Sequence, residues 1–147
     1  MKVIIIPALF LVLASTATCD NLWKDCSTPD DKTRMEVTSI KITPDPPQKG
    51  QKVNIDVELN LKEEVTSGEV ALKLNYGVIP IVDESLDFCD LITQINKQCP
   101  LQKGTISIKL DEDLPNYIPS GKYAGNATIT DQNNKELLCL HLEMDLN

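Results

Sequence analysis

One stretch decides the fold class: Val53-Asn54-Ile55-Asp56-Val57-Glu58-Leu59-Asn60-Leu61. Apolar and polar side chains alternate along it without a break. Because successive side chains of a β-strand point to opposite faces of the sheet, this pattern predicts a strand with one buried face and one face in water. Such strands are typical of antiparallel sheets, which commonly leave one face solvated.

The same period of two recurs along the rest of the chain. Shorter candidate strands cover residues 37–42 and 78–82, and the longer sets of alternating apolar positions are Val70, Leu72, Leu74 and Tyr76, then Ile106, Ile108 and Leu110, then Tyr123, Gly125, Ala127 and Ile129, and finally Leu138, Leu140, Leu142, Met144 and Leu146. Turn-forming segments separate these sets. Residues 90–98 have room for a turn or two of helix. Seven or eight short strands predict an all-β protein, a sandwich of antiparallel strands.

The N-terminus predicts a secretory signal over residues 1–17. Lys2 precedes an apolar run from Val3 to Ala14, and Ala17 is a small residue at the expected cleavage site. The run is too short for a transmembrane helix, which needs about 20 apolar residues. We therefore expect a single domain over residues 18–147, either secreted or held in the lumen of the endosomal or lysosomal pathway.

The charge excludes one class of partner. The 147 residues carry a formal charge of −8, with 14 basic and 22 acidic side chains. Sequence-independent binding of nucleic acid depends on clustered lysine and arginine, so no nucleic-acid partner is expected.

The cysteines predict a disulfide framework. Cys19 lies in the cleavage zone, which leaves Cys26, Cys89, Cys99 and Cys139, an even number in a secreted chain. Four cysteines allow three pairings. Cys89 and Cys99 flank a short polar segment and form the easiest local pair, which leaves Cys26 to bond with Cys139. No CxxC motif is present and the chain has 1 histidine, so no metal site is expected.

The interior is thinly supplied with large side chains. Five aromatic residues follow the signal: Trp23, Tyr76, Phe88, Tyr117 and Tyr123. A cavity between the sheets is compatible with this composition, and so is a solid aliphatic core.

Seven short motifs follow one another along the mature chain. They are Trp23-Lys24-Asp25-Cys26, Ile42-Thr43-Pro44-Asp45-Pro46-Pro47-Gln48-Lys49-Gly50, Tyr76-Gly77-Val78-Ile79-Pro80-Ile81, Asp87-Phe88-Cys89, Cys99-Pro100-Leu101-Gln102-Lys103-Gly104, Ile118-Pro119-Ser120-Gly121-Lys122-Tyr123 and Leu137-Leu138-Cys139-Leu140. In this order and spacing they resemble the ML domain, the lipid-recognition family of secreted β-sandwiches. That family includes Niemann–Pick type C2 sterol carriers, fungal and amoebal phosphatidylglycerol/phosphatidylinositol transfer proteins and group 2 mite allergens.

The resemblance implies an immunoglobulin-like sandwich that holds one lipid in an apolar cavity between its sheets. The animal sterol carriers have an extra cysteine pair near the segment 44–50, which this chain lacks. Transfer of phosphatidylglycerol or phosphatidylinositol between membranes is therefore the first expectation, and sterol binding and intracellular sterol transport the second. A secreted module that presents a lipid to a receptor is a third, and a solid sandwich used for adhesion is a fourth.

The lipid site can be placed on the predicted strands and loops. The inward positions expected to form the cavity wall are Val53, Ile55, Val57, Leu72, Leu74, Tyr76, Ile106, Ile108, Tyr123, Ile129, Leu140 and Leu142. The residues expected at the lipid entrance, partly by alignment to the sterol carriers, are Ile81, Leu101, Leu114, Tyr117, Ile118 and Pro119. Lys103, Lys109 and Lys122 are the candidate partners of an anionic head group. The expected protein is a monomer that touches membranes transiently.

Other signals are weaker. Asn126-Ala127-Thr128 is a glycosylation sequon whose asparagine has outward parity, so glycosylation at Asn126 is expected. His141 is expected on an outer face, and Asp111-Glu112-Asp113 in a solvated turn. No nucleophile with an activating base, no cofactor motif and no metal cluster is apparent, so no enzymatic activity is expected.

Overall fold

The computed structural model describes residues 22–147. The predicted signal segment and Cys19 lie outside this range. The described chain contains one short helix, one single 3₁₀ turn at Asp31–Thr33 and eight strands. In chain order the elements are β1 (Trp23–Asp25), β2 (Met35–Thr43), β3 (Lys52–Leu61), β4 (Gly68–Tyr76), β5 (Ile79–Asp87), α1 (Phe88–Thr93), β6 (Gly104–Asp113), β7 (Gly121–Asp131) and β8 (Glu136–Leu146).

The strands form two antiparallel sheets. One sheet has five strands in the order β1-β8-β7-β4-β5, and the other has three in the order β2-β3-β6. The predicted all-β sandwich of seven or eight antiparallel strands is confirmed. The alternation of residues 53–61 sets the register of β3, where Val57 lies opposite Ile108 on β6 and Leu59 lies opposite Ile106.

Two elements differ from the sequence expectation. The strand expected at 78–82 extends to Asp87, because β5 pairs with β4 as far as Glu69. The helix begins at Phe88, before the expected window, because the Asp87 carboxylate caps it by accepting the N–H of Asp90 at 3.0 Å. In this helix Phe88 and Ile92 are buried, and Cys89 and Leu91 are half-buried.

The packed core lies at one end of the sandwich. This end, here called the disulfide end, comprises the strand termini near residues 26–34, 62–67, 88–103 and 132–135. Its buried apolar cluster consists of Met35, Leu59, Leu61, Val65, Val70, Phe88, Ile92, Leu101, Ile106, Leu137 and Leu138. Both Leu137 and Leu138 are buried, although they are neighbours, because a bulge shifts the β7–β8 register beyond Ile129.

Two disulfide bonds join Cys26 to Cys139 and Cys89 to Cys99. These are the pairs expected from the sequence. Cys89 and Cys99 pack against the buried cluster, whereas the Cys26–Cys139 bond ties the end of β1 to β8. The Cys89–Cys99 bond therefore fixes the loop after α1, and the Cys26–Cys139 bond fixes the start of the domain to its last strand.

The opposite end, here called the loop end, comprises residues 44–51, 77–78 and 114–120. The rings of Tyr76 and Tyr123 pack there with centroids 5.1 Å apart. The Tyr123 hydroxyl donates a hydrogen bond to the Pro119 carbonyl at 2.8 Å, and the Tyr76 hydroxyl donates one to the Ser120 carbonyl at 2.9 Å. Gly121 lies against the Tyr76 ring, where a Cβ atom would come within 2.9 Å of it. This tyrosine pair fixes the loop between β6 and β7 to the five-stranded sheet.

Among the helices of residues 22–147, none has the length and apolar character needed to cross a membrane.

Candidate functional site: two apolar pockets between the sheets

The first pocket lies between the middle parts of the two sheets and has a volume of about 360 Å³. Its wall is almost wholly apolar, and Trp23 on β1 and Ile40 on β2 bring it to the flank where these two edge strands run. The lining residues are Trp23, Ile40, Ile42, Ile55, Val57, Leu72, Lys73, Leu74, Val82, Gly125, Asn126, Ala127, Leu140, His141 and Leu142.

The second pocket lies under α1, on the flank of edge strand β6, and has a volume of about 470 Å³. Its floor is part of the buried cluster, and its exposed lining residues form a mouth. The lining residues are Met35, Leu59, Val70, Leu72, Phe88, Leu91, Ile92, Gln94, Ile95, Lys97, Leu101, Ile106, Ile108, Leu110, Glu112 and Ile129.

Leu72 lines both pockets. On β3, Val57 lines the first pocket and Leu59 the second, and on β7 Ala127 and Ile129 divide in the same way. The two volumes therefore follow one another along the strands, with Leu72 between them. Each volume falls in the range of about 300–1,000 Å³ that is typical of small-molecule sites.

Nine of the twelve residues expected in a cavity wall line one of these pockets. In the first pocket are Ile55, Val57, Leu74, Leu140 and Leu142, in the second Ile106, Ile108 and Ile129, and in both Leu72. The other three, Val53, Tyr76 and Tyr123, lie near the loop end, where Val53 is 4% exposed and Tyr123 is 5% exposed. Which of these residues contact a lipid stays a prediction.

The residues expected at the entrance are spread over the molecule. Leu101 is buried in the second pocket, at the disulfide end. Ile81, on β5, and Tyr117, in the loop after β6, are 49% and 86% exposed. Leu114, Ile118 and Pro119 lie in the same loop, between β6 and β7. Of the six expected entrance residues, only Leu101 lines a pocket, and the other five line neither of them. An entrance at these positions stays a prediction.

Sequence reasoning missed part of the lining. Ile40, Ile42, Leu59, Val70 and Leu110 belong to the alternating sets and could have been included on that signal. The helical contribution also had a signal, because the apolar residues at 88, 91, 92 and 95 have the spacing i, i+3, i+4 and i+7. No alternating pattern in the sequence pointed to Trp23, because β1 is only three residues long.

Three polar side chains line the mouth of the second pocket: Gln94, Lys97 and Glu112. All three are exposed. Lys103, Lys109 and Lys122, the candidates from the sequence, line neither pocket. Lys73 lines the first pocket, but its Nζ atom lies 3.9 Å from the Asp83 carboxylate.

The carboxylates with the lowest exposure lie outside both pockets. Burial alone would raise the pKa of Asp31, but hydrogen bonds from the Thr28 hydroxyl and backbone N–H, each at 2.7 Å, and the Arg34 guanidinium hold that pKa below its ordinary value. Burial would likewise raise the pKa of Asp131, and the backbone N–H groups of Lys135 and Asn133 lower it further than burial raises it. These two groups stabilise turns at the disulfide end.

Asn126 is exposed on the outer face of the five-stranded sheet. Its Oδ1 atom lies 2.7 Å from the Nδ1 atom of His141 on the neighbouring strand. Glycosylation at Asn126 stays a prediction. In residues 22–147, no group of three or more histidine, cysteine, aspartate or glutamate side chains is placed to hold a metal ion.

The sequence profile of the ML domain matches residues 20–146. The chain belongs to the ML-domain family. A Dictyostelium discoideum relative that carries the provisional name phosphatidylglycerol/phosphatidylinositol transfer protein is 38% identical over 140 residues, which cover 95% of this chain and 96% of the relative. The phosphatidylglycerol/phosphatidylinositol transfer protein of Aspergillus fumigatus is 36% identical over 122 residues, covering 82% of this chain and 69% of the relative.

Solved structures show the same ML fold at low sequence identity. A Niemann-Pick type C2 protein from the Japanese carpenter ant superposes with a TM-score of 0.64 at 15% identity, covering 85% of this chain and 98% of that one. Chicken MD-1, solved in complex with lipid IVa, superposes with a TM-score of 0.55 at 18% identity, covering 84% and 87%. The ML fold and two disulfide bonds are typical of extracellular or lumenal proteins.

Proposed function

We propose that this protein binds one phospholipid between its sheets and transfers it between membranes, with phosphatidylglycerol or phosphatidylinositol as the first candidates. The observation that supports this proposal is the pair of apolar pockets that share Leu72 as a lining residue. The relatives named as phosphatidylglycerol/phosphatidylinositol transfer proteins give the choice of lipid. The lipid is bound and released without any covalent bond being made or broken.

The driving force is burial of hydrocarbon. Each methylene group that leaves water for an apolar pocket contributes about 0.8 kcal/mol. The two consecutive pockets suit a lipid with two flexible acyl chains, because each chain can enter a separate volume on either side of Leu72. The competing stability of the lipid in its donor membrane, together with the entropy lost on binding, keeps exchange reversible.

Membrane contact is proposed for the flank of β5 and β6. Large aliphatic residues are exposed on both strands, with Ile79 at 57% and Ile81 at 49% on β5 and Leu110 at 40% on β6, and Val78 is 96% exposed in the turn just before β5. We call these four residues the flank patch. Leu110 also lines the mouth of the second pocket, so a bilayer that covers the flank patch would receive a lipid from that mouth. The protein is proposed to act as a monomer, outside the cell or in the endosomal or lysosomal lumen.

The test is lipid transfer between vesicles by the wild type and a pocket-filling variant. Ile108 lines the second pocket, and its neighbour Ser107 is exposed on the opposite face of β6. Ile108→Trp is expected to lower the transfer of phosphatidylglycerol and phosphatidylinositol at least tenfold, because the indole occupies the volume that a chain would use. Ser107→Trp, the matched control, should transfer at the wild-type rate.

Folding and ligand identity are checked in the same preparation. Circular dichroism and thermal unfolding show whether Ile108→Trp is folded, and Ala127→Phe fills the first pocket as a second variant. Mass spectrometry of the lipid extracted from wild-type protein should find phospholipid. A protein that binds and transfers no phospholipid would contradict the proposal, and selective extraction of sterol would assign the pockets to sterol instead.

A further inference from the structure

The mouth of the second pocket has unlike charges at its two ends. Lys97 and Gln94 lie on the segment that follows α1, at the disulfide end. Glu112 lies near the end of β6, opposite Val53 of β3, towards the loop end. The lining residues of β6 run from Ile106 to Glu112, which is about 20 Å at 3.3 Å per residue. A charged ligand group at the mouth therefore meets a cation at one end and a carboxylate at the other.

The backbone holds Lys97 in place. The Lys97 N–H donates to the Ile92 carbonyl at 2.9 Å, and the Asn96 N–H donates to the Thr93 carbonyl at 3.0 Å. With Asn96 at a φ of 58°, these two bonds form a Schellman motif that ends the helical segment. The disulfide bond between Cys89 and Cys99 closes the loop on both sides of it. The site of Lys97 over the pocket is thus built by local structure.

The Lys97 amine is available to bind an anion. Within the described part of the chain it forms no ion pair, whereas Lys73 of the first pocket lies beside Asp83. At the opposite end of the mouth, Glu112 supplies a negative charge. Its neighbours Asp111 and Asp113 lie on the other face of β6, in the strand and not in the turn that the sequence suggested. An anion is repelled from that end and attracted to Lys97.

We propose that Lys97, with the Gln94 amide beside it, binds the phosphate of an anionic phospholipid and gives the protein its preference for such lipids. This inference rests on the proposed function and names the head-group subsite of the same pocket. Lys97 donates a charge-assisted hydrogen bond to a phosphate oxygen, and Gln94, three residues earlier, donates a second. The acyl chains extend from there over Leu91 and Ile108 into the pocket.

The same arrangement disfavours zwitterionic lipids. Phosphatidylglycerol and phosphatidylinositol carry one negative charge and an uncharged polyol, so the attraction of their phosphate to Lys97 is undiminished. In phosphatidylcholine a quaternary ammonium group lies next to the phosphate and is repelled by the same lysine. Lys97 therefore affects the relative affinity for anionic and zwitterionic lipids more than the affinity for the hydrocarbon chains.

The experiment compares transfer of phosphatidylglycerol and phosphatidylcholine from otherwise identical neutral vesicles, at low salt, by full-length variants. Lys97→Gln is expected to reduce phosphatidylglycerol transfer about fivefold, which corresponds to about 1 kcal/mol for an exposed charged contact, and to leave phosphatidylcholine transfer within twofold. Lys97→Arg should retain the preference. Lys103→Gln, which removes the same charge outside the pocket lining, is the matched control and should resemble the wild type.

Three outcomes would overturn the assignment. One is an equal loss for both lipids in Lys97→Gln, which would mean a structural role, and another is an equal effect of Lys103→Gln, which would mean a general effect of net charge. The third is competition by soluble glycerol phosphate at millimolar concentration, which would mean recognition of free phosphate. Failure of the proposed function gives a different result, because the wild type would then bind and transfer no phospholipid, or Ile108→Trp would leave transfer of both lipids unchanged.

Discussion

At the scale of single residues, Asp131 shows how a polar side chain with 4% exposure is made stable. Its carboxylate accepts the N–H of Asn133 at 2.7 Å and that of Lys135 at 2.9 Å, and so orders the turn between β7 and β8. The sequence predicts a turn at residues 131–134, since Asp131, Asn133 and Asn134 are turn formers. It does not predict which of the four is buried, because that depends on the neighbouring strands.

Asp131→Asn is expected to lower the free energy of unfolding at pH 7 by about 1 kcal/mol, since a neutral amide accepts weaker hydrogen bonds than a carboxylate. The pKa of Asp131 is lowered in the folded protein, so its stabilising contribution is present above the unfolded pKa of about 3.9 and is lost as pH falls through the folded pKa. Urea unfolding between pH 7 and pH 3 should therefore show a smaller acid-induced loss in the variant. The exposed Asp145→Asn is the control, and equal pH dependence of wild type and Asp131→Asn would refute the role.

At the scale of elements, the sequence was sufficient to predict the long strands but not the elements at the flanks of the sandwich. Alternation placed the inward residues of β3, β4, β6, β7 and β8 because it follows directly from the pleat. The flanks are formed by β1, which has three residues, and by α1, whose position depends on the cap at Asp87 and on packing against β4 and β5. The resemblance to the sterol carriers put the expected entrance near Ile118, and Leu110 is an exposed aliphatic residue that lines the second pocket.

A pair of charged variants compares the two entrances. Leu110 is 40% exposed at the mouth of the second pocket, and Ile118 lies in the loop between β6 and β7. Leu110→Asp should slow lipid transfer about tenfold, because a carboxylate at the mouth opposes both membrane contact and passage of an acyl chain. Ile118→Asp should have a smaller effect on transfer at equal thermal stability. A larger effect of Ile118→Asp would place the entrance at the loop end, where the sequence expectation put it.

At the scale of the whole molecule, fold class and disulfide pairing followed from the sequence, but the pockets did not. The residues that surround a cavity and those that fill a core are the same aliphatic types, as Ile108 and Leu61 illustrate, one lining a pocket and the other 1% exposed. The width of the space between the sheets depends on the distance between their edge strands, which are β1 and β5 in one sheet and β2 and β6 in the other. Here α1 occupies one flank at the disulfide end, and the tyrosine pair fixes the β6–β7 loop at the loop end.

The two disulfide bonds are expected to contribute unequally to global stability. Their cysteines are 113 and 10 residues apart, and on the chain-entropy model these loops give about 5 and about 3 kcal/mol. Paired Cys→Ser variants at 26 and 139 should therefore unfold at lower denaturant than paired variants at 89 and 99. Both are measured by urea unfolding against the oxidised wild type, and the reverse order would show that packing of the local loop outweighs loop length.

If Lys97 selects the lipid as proposed, the Cys89–Cys99 bond makes that selection depend on the redox state of the surroundings. It encloses the turn that carries Lys97, so a thiol-rich environment that opened it would release that turn from the pocket while Ile106, Ile108 and the other strand residues kept their places. The reduced protein would still take up hydrocarbon and would no longer discriminate between anionic and zwitterionic lipids. On that proposal, an oxidising compartment is a condition for lipid selectivity in this molecule.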